Sequence, residues 1–124
     1  MTDIKVPGLD HPITIEPTGG QVTIRLGGLA IVDTRRALTL REASYPPVQY
    51  VPLEDVDPAL LEPSQRTTWC PFKGTASYYD LVAGDEVVPA AVWTYRSPHS
   101  AVAEIEGHAA FLPDHVDAIE VHDA

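Results

Sequence analysis

The feature that most limits the fold of this chain is an alternating segment that ends at two glycines. In residues 21–26 every second side chain is apolar, which is the period of a half-buried β-strand. Gly27 and Gly28 suit the positive φ angles of a tight hairpin turn, and residues 29–33 supply the returning strand. This part of the chain is therefore predicted to be an antiparallel β-hairpin.

The rest of the chain continues in short extended segments that proline and glycine separate. Further strands are predicted at 37–42, 48–51, 67–70, 75–82, 86–95, 109–112 and 116–121. A turn and a short helix are predicted in residues 53–63, where Asp57 can cap the free amides and Pro58 suits the first helical position. A second short helix is predicted at about 99–106. The pattern indicates a mainly β fold of about eight or nine strands with one or two short helices.

The first twenty residues are predicted to be an extended N-terminal arm. Pro7-Gly8, His11-Pro12 and Gly19-Gly20 interrupt any regular element there, although residues 13–15 could lie extended against the body. A chain of 124 residues is long enough for one domain with its own core. We expect residues 21–124 to form a single β domain.

Composition argues against several classes of protein. Hydrophobic residues make up 44% of the chain and charged residues 21%, close to the values of soluble globular proteins. No apolar run approaches the roughly 18 residues of a membrane helix, and residues 1–5 do not resemble a signal peptide. The single cysteine excludes an internal disulfide or a zinc site built from cysteines and fits a reducing compartment. We expect a cytoplasmic protein with no membrane partner.

The net charge of -10 is unevenly distributed. Residues 80–124 hold nine acids and one base, Arg96, whereas residues 21–79 hold six of each. The acidic half should repel the phosphate backbone of nucleic acids, so no nucleic-acid partner is expected. A solvated acidic surface explains the excess charge, and any anion site is expected in residues 21–79.

The stretch from Thr67 to Gly74 contains the only cysteine, one of two tryptophans and one of two lysines. Pro71 and Gly74 predict a turn between two strands. Lys73 could stabilise a reactive Cys70 thiolate, but a free cysteine is also often a small buried hydrophobe. Cys70 is therefore open to three interpretations: a nucleophile or redox group, a pocket-lining thiol, or a packing residue. Lys73 could bind a carboxylate or phosphate ligand, or pair with Glu42.

Alternation in the third strand places Arg36, Leu38, Leu40 and Glu42 on one face. If the leucines point into the core, a carboxylate beside them must be paired, hydrogen-bonded or facing a cavity. Glu42 is thus predicted to form a structural salt bridge or to line a pocket. The aromatic residues that could line the same pocket, or simply form the core, are Tyr50, Trp69, Tyr78 and Trp93.

The five histidines are scattered along the chain, and their spacing matches no metal-binding motif. We expect no metal and no cofactor. His108, which follows Gly107 at the start of a strand, is the histidine retained as a candidate general acid or base.

Several motifs resemble one known family. They are residues 33–38, Glu42 with Tyr45-Pro46-Pro47, Tyr50 and Pro52, residues 67–78 around Cys70-Pro71-Phe72-Lys73-Gly74, residues 91–93, and Phe111 with Val116-Asp117. Together they are similar to the domain of unknown function 427, over about residues 10–121.

This resemblance implies a compact β-tent-like domain in which two sheets meet at an angle. The architecture is similar to that of methionine sulfoxide reductase B and of the thalidomide-binding domain of cereblon. Those relatives hold zinc on paired cysteines, which this chain lacks. The family also carries a nucleotidyltransferase label, but the chain shows neither a Gly-Ser with two spaced aspartates nor a glycine-rich phosphate loop.

The leading functional hypothesis is a small soluble domain that binds a small molecule or peptide group near the turn that follows Cys70. The predicted binding residues are Arg36, Glu42, Tyr50, Cys70, Lys73, Tyr78 and Trp93. One alternative is an enzyme that uses Cys70 or Lys73, with His108 as a weaker candidate, in covalent or acid–base chemistry. Another is a protein-interaction module that docks a basic partner on its acidic half. Oligomeric state does not follow from the sequence.

Overall fold

The computed structural model describes residues 4–123 and shows a mainly β architecture of two antiparallel sheets. The strands are β1 (Ile13–Pro17), β2 (Gly20–Leu26), β3 (Leu29–Thr34), β4 (Leu38–Glu42), β5 (Val48–Pro52), β6 (Leu61–Cys70), β7 (Gly74–Ala83), β8 (Glu86–Tyr95), β9 (His108–Phe111) and β10 (Ala118–Asp123). One sheet has the order β1-β4-β5-β9-β8-β7-β6, and the other has the order β10-β2-β3. The predicted mainly β fold is confirmed, with ten described strands rather than eight or nine.

The hairpin predicted from alternation is present. Strands β2 and β3 pair up to Leu26 and Leu29, and Gly27 and Gly28 adopt φ angles of 61° and 80° between them. Strand β10 pairs with the other edge of β2 and completes the three-stranded sheet. The alternating pattern and the two glycines therefore sufficed to predict the pairing of β2 with β3.

Part of the segment expected to be an arm forms a strand. Strand β1 pairs antiparallel with β4, with Ile13 opposite Glu42 and Ile15 opposite Leu40. Residues 13–15 thus lie extended against the body, within an edge strand of the seven-stranded sheet.

Strand β6 begins at Leu61, six residues before the start predicted from the sequence. Asp57 caps a short 3₁₀ turn at Pro58–Leu60 by accepting from the Ala59 N–H at 3.0 Å, and the chain extends directly afterwards. Pro63 is tolerated opposite Tyr79 because β6 is an edge strand, where a missing N–H need not break a ladder bond. The helix predicted within residues 53–63 is thus limited to 3₁₀ turns, and residues 61–63 already belong to β6.

The predicted helix at 99–106 is a 3₁₀ segment, Ser100–Ile105, with non-helical dihedral angles at Val102. The other helical pieces among residues 4–123 are 3₁₀ turns of three residues each, at Leu53–Asp55, Pro58–Leu60 and Pro113–His115. Within the same described residues, no helix is long and apolar enough to cross a membrane.

Two hydrophobic cores lie on opposite faces of the seven-stranded sheet. The main core fills the space between the sheets, and its largest buried members include Ile24, Val32, Val51, Leu81 and Phe111. The second core lies on the other face and contains Leu40, Tyr50, Ala76, Tyr95, Val102, Ile105 and Ala110. The 3₁₀ segment Ser100–Ile105 covers the second core with two of its side chains.

The seven-stranded sheet curls around the second core. Ile13 and Ile15 come from β1 at one edge of the sheet, and Cys70 comes from β6 at the other, yet all three pack against this core. The curvature brings the end of β4 close to the turn between β6 and β7. The candidate site is built where these elements meet.

Candidate functional site

The turn between β6 and β7 comprises Pro71, Phe72, Lys73 and Gly74 and is called the 71–74 turn below. Its backbone is held from two sides. The Pro71 carbonyl accepts from the Lys5 N–H at 2.9 Å, and the Lys73 carbonyl accepts from the His99 N–H at 3.0 Å. The N-terminal segment and the loop after β8 therefore both contact this turn.

A charged cluster joins the 71–74 turn to the end of β4. The Lys73 ammonium donates to Oε1 of Glu42, and His11 Nε2 lies 2.7 Å from Oε2 of the same carboxylate. The Lys73 and Glu42 side chains are only 11% and 14% exposed. The His11 ring stacks on Phe72, with ring centroids 4.0 Å apart. These contacts tie the two ends of the curled sheet together.

Glu42 keeps its charge in this partly buried position. Burial raises the pKa of the Glu42 carboxyl group, but hydrogen bonds and charge attraction from Lys73 and His11 outweigh it and hold the pKa below its ordinary value. Of the two predictions for Glu42, the structure contains the salt bridge. Lys73 is correspondingly occupied by a protein carboxylate.

The predicted aromatic residues largely belong to the second core. Tyr50 is 1% exposed and accepts a hydrogen bond from the Trp93 indole N–H at 3.2 Å. Burial raises the pKa of Tyr50 to about 12, partly opposed by the Trp93 hydrogen bond, while nearby acidic groups including Glu42 and Cys70 raise it further. Tyr50 is therefore a neutral phenol at physiological pH.

Cys70 and Tyr78 lie at the border of the same core. Both are partly buried and pack against it. The Tyr78 hydroxyl lies 3.0 Å from Thr68 Oγ1, and the Arg66 guanidinium lies over the Tyr78 ring, 5.1 Å from its centroid. These contacts anchor Tyr78 between the core and the exposed surface of β6.

Arg36 is separated from the other predicted binding residues. Its guanidinium pairs with Glu54 at 2.8 Å and with Asp55 at 2.7 Å, and the pKa of the Asp55 carboxyl is lowered chiefly by the Arg36 hydrogen bond. Arg36 and His108 line a shallow cavity of about 390 Å³. The other six predicted residues gather around the second core and the 71–74 turn.

Sequence reasoning missed a cavity of about 320 Å³ beside the 71–74 turn. It lies between the β6–β7 hairpin and the loop that follows β8. Its lining residues are Trp69, Gly74, Thr75, Ser77, Arg96, Ser97 and His99. The signal that could have found it is Arg96, the single base among residues 80–124.

Gly74 makes the close approach of His99 to this cavity sterically acceptable. Its φ of 111° is a conformation that favours glycine. A Cβ atom at this position would lie 3.3 Å from Cδ2 of His99. The Nδ1 atom of His99 is buried and has no hydrogen-bond partner among the described residues.

No three His, Cys, Asp or Glu side chains within residues 4–123 are grouped as metal ligands. A sequence model described as "Domain of unknown function (DUF427)" matches residues 14–122. The chain belongs to this family, as its motifs indicated. No curated protein matches the chain.

Proposed function

We propose that this protein binds a small molecule that carries an anionic group, in the cavity beside the 71–74 turn. Arg96 is the observation that carries the proposal. It borders this cavity and, like Arg35, Arg41 and Arg66, makes no ion pair within residues 4–123, so no described carboxylate competes with a ligand for it. A guanidinium recognises a carboxylate or phosphate through its fixed fork of N–H donors.

Hydroxyl groups around Arg96 suit the same ligand chemistry. Thr75, Ser77 and Ser97 line the cavity, and each hydroxyl can donate to an oxyanion. If the buried Nδ1 of His99 is the unprotonated nitrogen, Nε2 carries the N–H at the edge of the ring that faces Gly74. The cavity wall thus supplies several donors around one cation.

Trp69 offers a packing surface for an apolar group on the same anionic ligand. Its side chain borders the cavity and is among the exposed large apolar residues of the protein, at 39% exposure. A flat indole gives an aromatic or aliphatic group a surface on which to pack. The proposed ligand is therefore a small amphipathic acid, such as an aromatic carboxylate or phosphate monoester.

The proposed anion site lies partly outside residues 21–79, the segment in which the charge distribution favoured one. Four of the lining residues come from residues 21–79, but the cation comes from the acidic half of the chain. Net charge describes the average electrostatic field of a segment, whereas anion binding in the cavity depends on the position of one guanidinium, that of Arg96.

Phenyl phosphate provides a direct test, with benzyl alcohol as the matched neutral probe. Binding is measured by isothermal titration calorimetry on the wild type, on Arg96→Gln, and on the control Arg41→Gln, which changes an exposed arginine outside the cavity. We expect Arg96→Gln to bind phenyl phosphate roughly tenfold more weakly or worse, because a charged hydrogen bond is lost. The control should bind like the wild type.

Equal binding by Arg96→Gln and the wild type would refute the assignment, as would no binding of phenyl phosphate to the wild type. Equal affinity for benzyl alcohol would refute the anionic part of the proposal alone. The enzyme alternative based on Cys70 or Lys73 draws no specific support from these contacts, since Lys73 is engaged by Glu42. The acidic interaction module likewise has no observation in its favour beyond the net charge.

A further inference from the structure

A third cavity, a cleft of about 530 Å³, opens between β5 and β9 beside β10. Most of its wall is apolar, and the side chains that contribute include Val48, Trp93, Phe111, Ile119 and Val121. Its volume falls in the range of ordinary ligand sites. The cleft is distinct from the cavity that contains Arg96, and its residues have no part in the function proposed above.

The cleft exists because the pairing of β5 with β9 stops early. The Leu53 N–H donates to the Gly107 carbonyl at 2.9 Å, and the register continues through Val51 opposite Ala109. In an antiparallel ladder, hydrogen-bonded pairs recur at every second residue. The next such pair would be Gln49 with Phe111, and this pair is not formed in the part of the chain that the structure describes.

The backbone groups of Gln49 face the cleft. Pairing with β4 places Val48 opposite Leu40 and Tyr50 opposite Leu38. Since Val51 and Leu53 direct their N–H and C=O groups toward β9, the alternation directs those of Val48 and Tyr50 toward β4 and those of Gln49 toward the cleft.

The backbone groups of Phe111 face the cleft from the other side. The Leu112 N–H donates to the Ala91 carbonyl at 2.8 Å, so the even-numbered residues of β9 direct their backbone groups toward β8. Phe111 therefore directs its own N–H and C=O away from β8. Gln49 and Phe111 both line the cleft.

Two prolines explain why the ladder does not continue. The same register would place Pro47 opposite Pro113, and both residues border the cleft. Neither has an N–H to donate, so no hydrogen-bonded pair can form there. A pair at Gln49 and Phe111 would therefore be the last of the ladder, with Val51 and Ala109 on one side of it and no further hydrogen-bonded pair on the other.

We infer that this cleft binds a short extended peptide segment with apolar side chains, whose backbone pairs with Gln49 and Phe111. An extended peptide presents N–H and C=O groups with the spacing that a free strand edge requires. Its side chains would pack on Trp93 and on the apolar residues of β10. Such a segment would supply partners for the backbone groups of Gln49 and Phe111 that face the cleft, which have no backbone partner across it within residues 4–123.

The charge of the cleft favours a neutral peptide over an acidic one. Asp117 borders it, and Oδ2 of this carboxylate already accepts from the Gly27 N–H at 2.8 Å. A ligand carboxylate beside Asp117 would meet a like charge. The peptide site therefore selects against the anionic groups proposed for the other cavity.

The probe is the blocked tripeptide acetyl-Val-Val-Val-amide, compared with its analogue in which the central amide is an ester. We follow ¹⁵N-labelled protein by NMR during titration with each compound. The peptide should shift the backbone amides of Gln49 and Phe111 and the indole N–H of Trp93. The ester lacks one N–H and should bind several-fold more weakly.

Two substitutions at Gln49 separate its backbone from its side chain. Gln49→Pro removes the N–H that faces the cleft, whereas Gln49→Ala removes only the side chain, whose Oε1 accepts from Thr18 and Thr39. Peptide affinity should fall in Gln49→Pro relative to Gln49→Ala. If Gln49→Pro does not fold, Val121→Trp, which fills the mouth of the cleft, should abolish binding while Val121→Ala retains it.

Equal binding of the amide and the ester would overturn the proposal, because apolar contact alone would then account for the affinity. Shifts that map to Trp69 and Arg96 rather than to Gln49 and Phe111 would also overturn it. The phenyl phosphate experiment is independent, since it depends on Arg96 and the other cavity.

Discussion

The two charged clusters near the ends of β4 use similar residues in very different surroundings. Glu42, the last residue of β4, pairs with Lys73 where both side chains are almost fully covered. Arg36, two residues before the strand begins, pairs with Glu54 and Asp55, and its own side chain is 57% exposed. The sequence placed Arg36 and Glu42 on one strand face with equal claims to a shared pocket. Burial, not residue type, distinguishes them.

Burial changes what each ion pair does for the fold. Removing one partner of a covered pair leaves a charge with neither water nor a counterion, which is costly. An exposed pair exchanges protein contacts for water at little net cost, and salt screens it. The Glu42 cluster is therefore expected to stabilise the curled sheet, whereas the Arg36 cluster is expected to contribute little to stability.

The largest effect should come from Lys73→Ala. This change removes the lysine cation from the covered Glu42 carboxylate and leaves His11 as its remaining described partner, and we expect it to lower the free energy of unfolding by about 3 kcal/mol. Urea denaturation followed by tryptophan fluorescence measures the change. Lys5→Ala, at the exposed second lysine, is the matched control and should leave stability unaltered.

A paired replacement sharpens this prediction. In Glu42→Leu with Lys73→Met, neither charge remains to be stranded, so stability should recover most of what Lys73→Ala loses. A double variant as unstable as Lys73→Ala would show that the cost arises from lost packing in the 71–74 turn rather than from the buried carboxylate.

An intermediate effect is expected from acid. The folded-state pKa of Glu42 lies below its ordinary value of 4.5. A group with a lowered folded pKa contributes stability above its unfolded pKa and loses that contribution as the pH falls through the folded value. The free energy of unfolding should therefore decrease as the pH falls below about 4.5.

Lys73→Ala supplies the comparison for this pH profile. Without the lysine, the hydrogen bond and charge that lower the pKa of Glu42 are reduced, so the decrease in stability on acidification should be shallower than in the wild type. Parallel profiles for the two proteins would mean that other carboxylates dominate the acid response.

The smallest effect should come from Arg36→Ala. The Arg36 side chain is 57% exposed in both of its ion pairs, so the urea midpoint should change little. Because salt screens exposed charges, any change seen at low ionic strength should shrink when salt is added. A loss of stability comparable with that of Lys73→Ala would contradict the claim that the covered Glu42–Lys73 pair stabilises the fold more than the Arg36 pairs do.

Elements defined by nearby residues were predictable. The β2–β3 hairpin follows from alternation and Gly27-Gly28, and the Asp57 cap follows from an acceptor placed before a proline. The 71–74 turn was also expected, because proline and glycine there punctuate two strand patterns. These features depend on dihedral preferences and hydrogen bonds that span only a few residues.

The cavity beside the turn and the β5–β9 cleft were not predictable. Arg96 and Trp69 are 27 positions apart in the chain, and their common cavity depends on how the loop after β8 passes over the β6–β7 hairpin. The cleft depends on the pairing of β5 with β9, which ends at Val51 opposite Ala109. Neither strand shows by itself which residues it will oppose.

The sequence by itself determined the mainly β class, the family, the hairpin of β2 and β3 and the turn that carries Lys73. Only the tertiary structure decided which charge that lysine meets. Glu42 lies 31 residues away, and a curled sheet brings the two together. Alternation assigns a side chain to one face of a strand, but strand order and sheet curvature are properties of many strands packed together, and they determine its neighbours on that face.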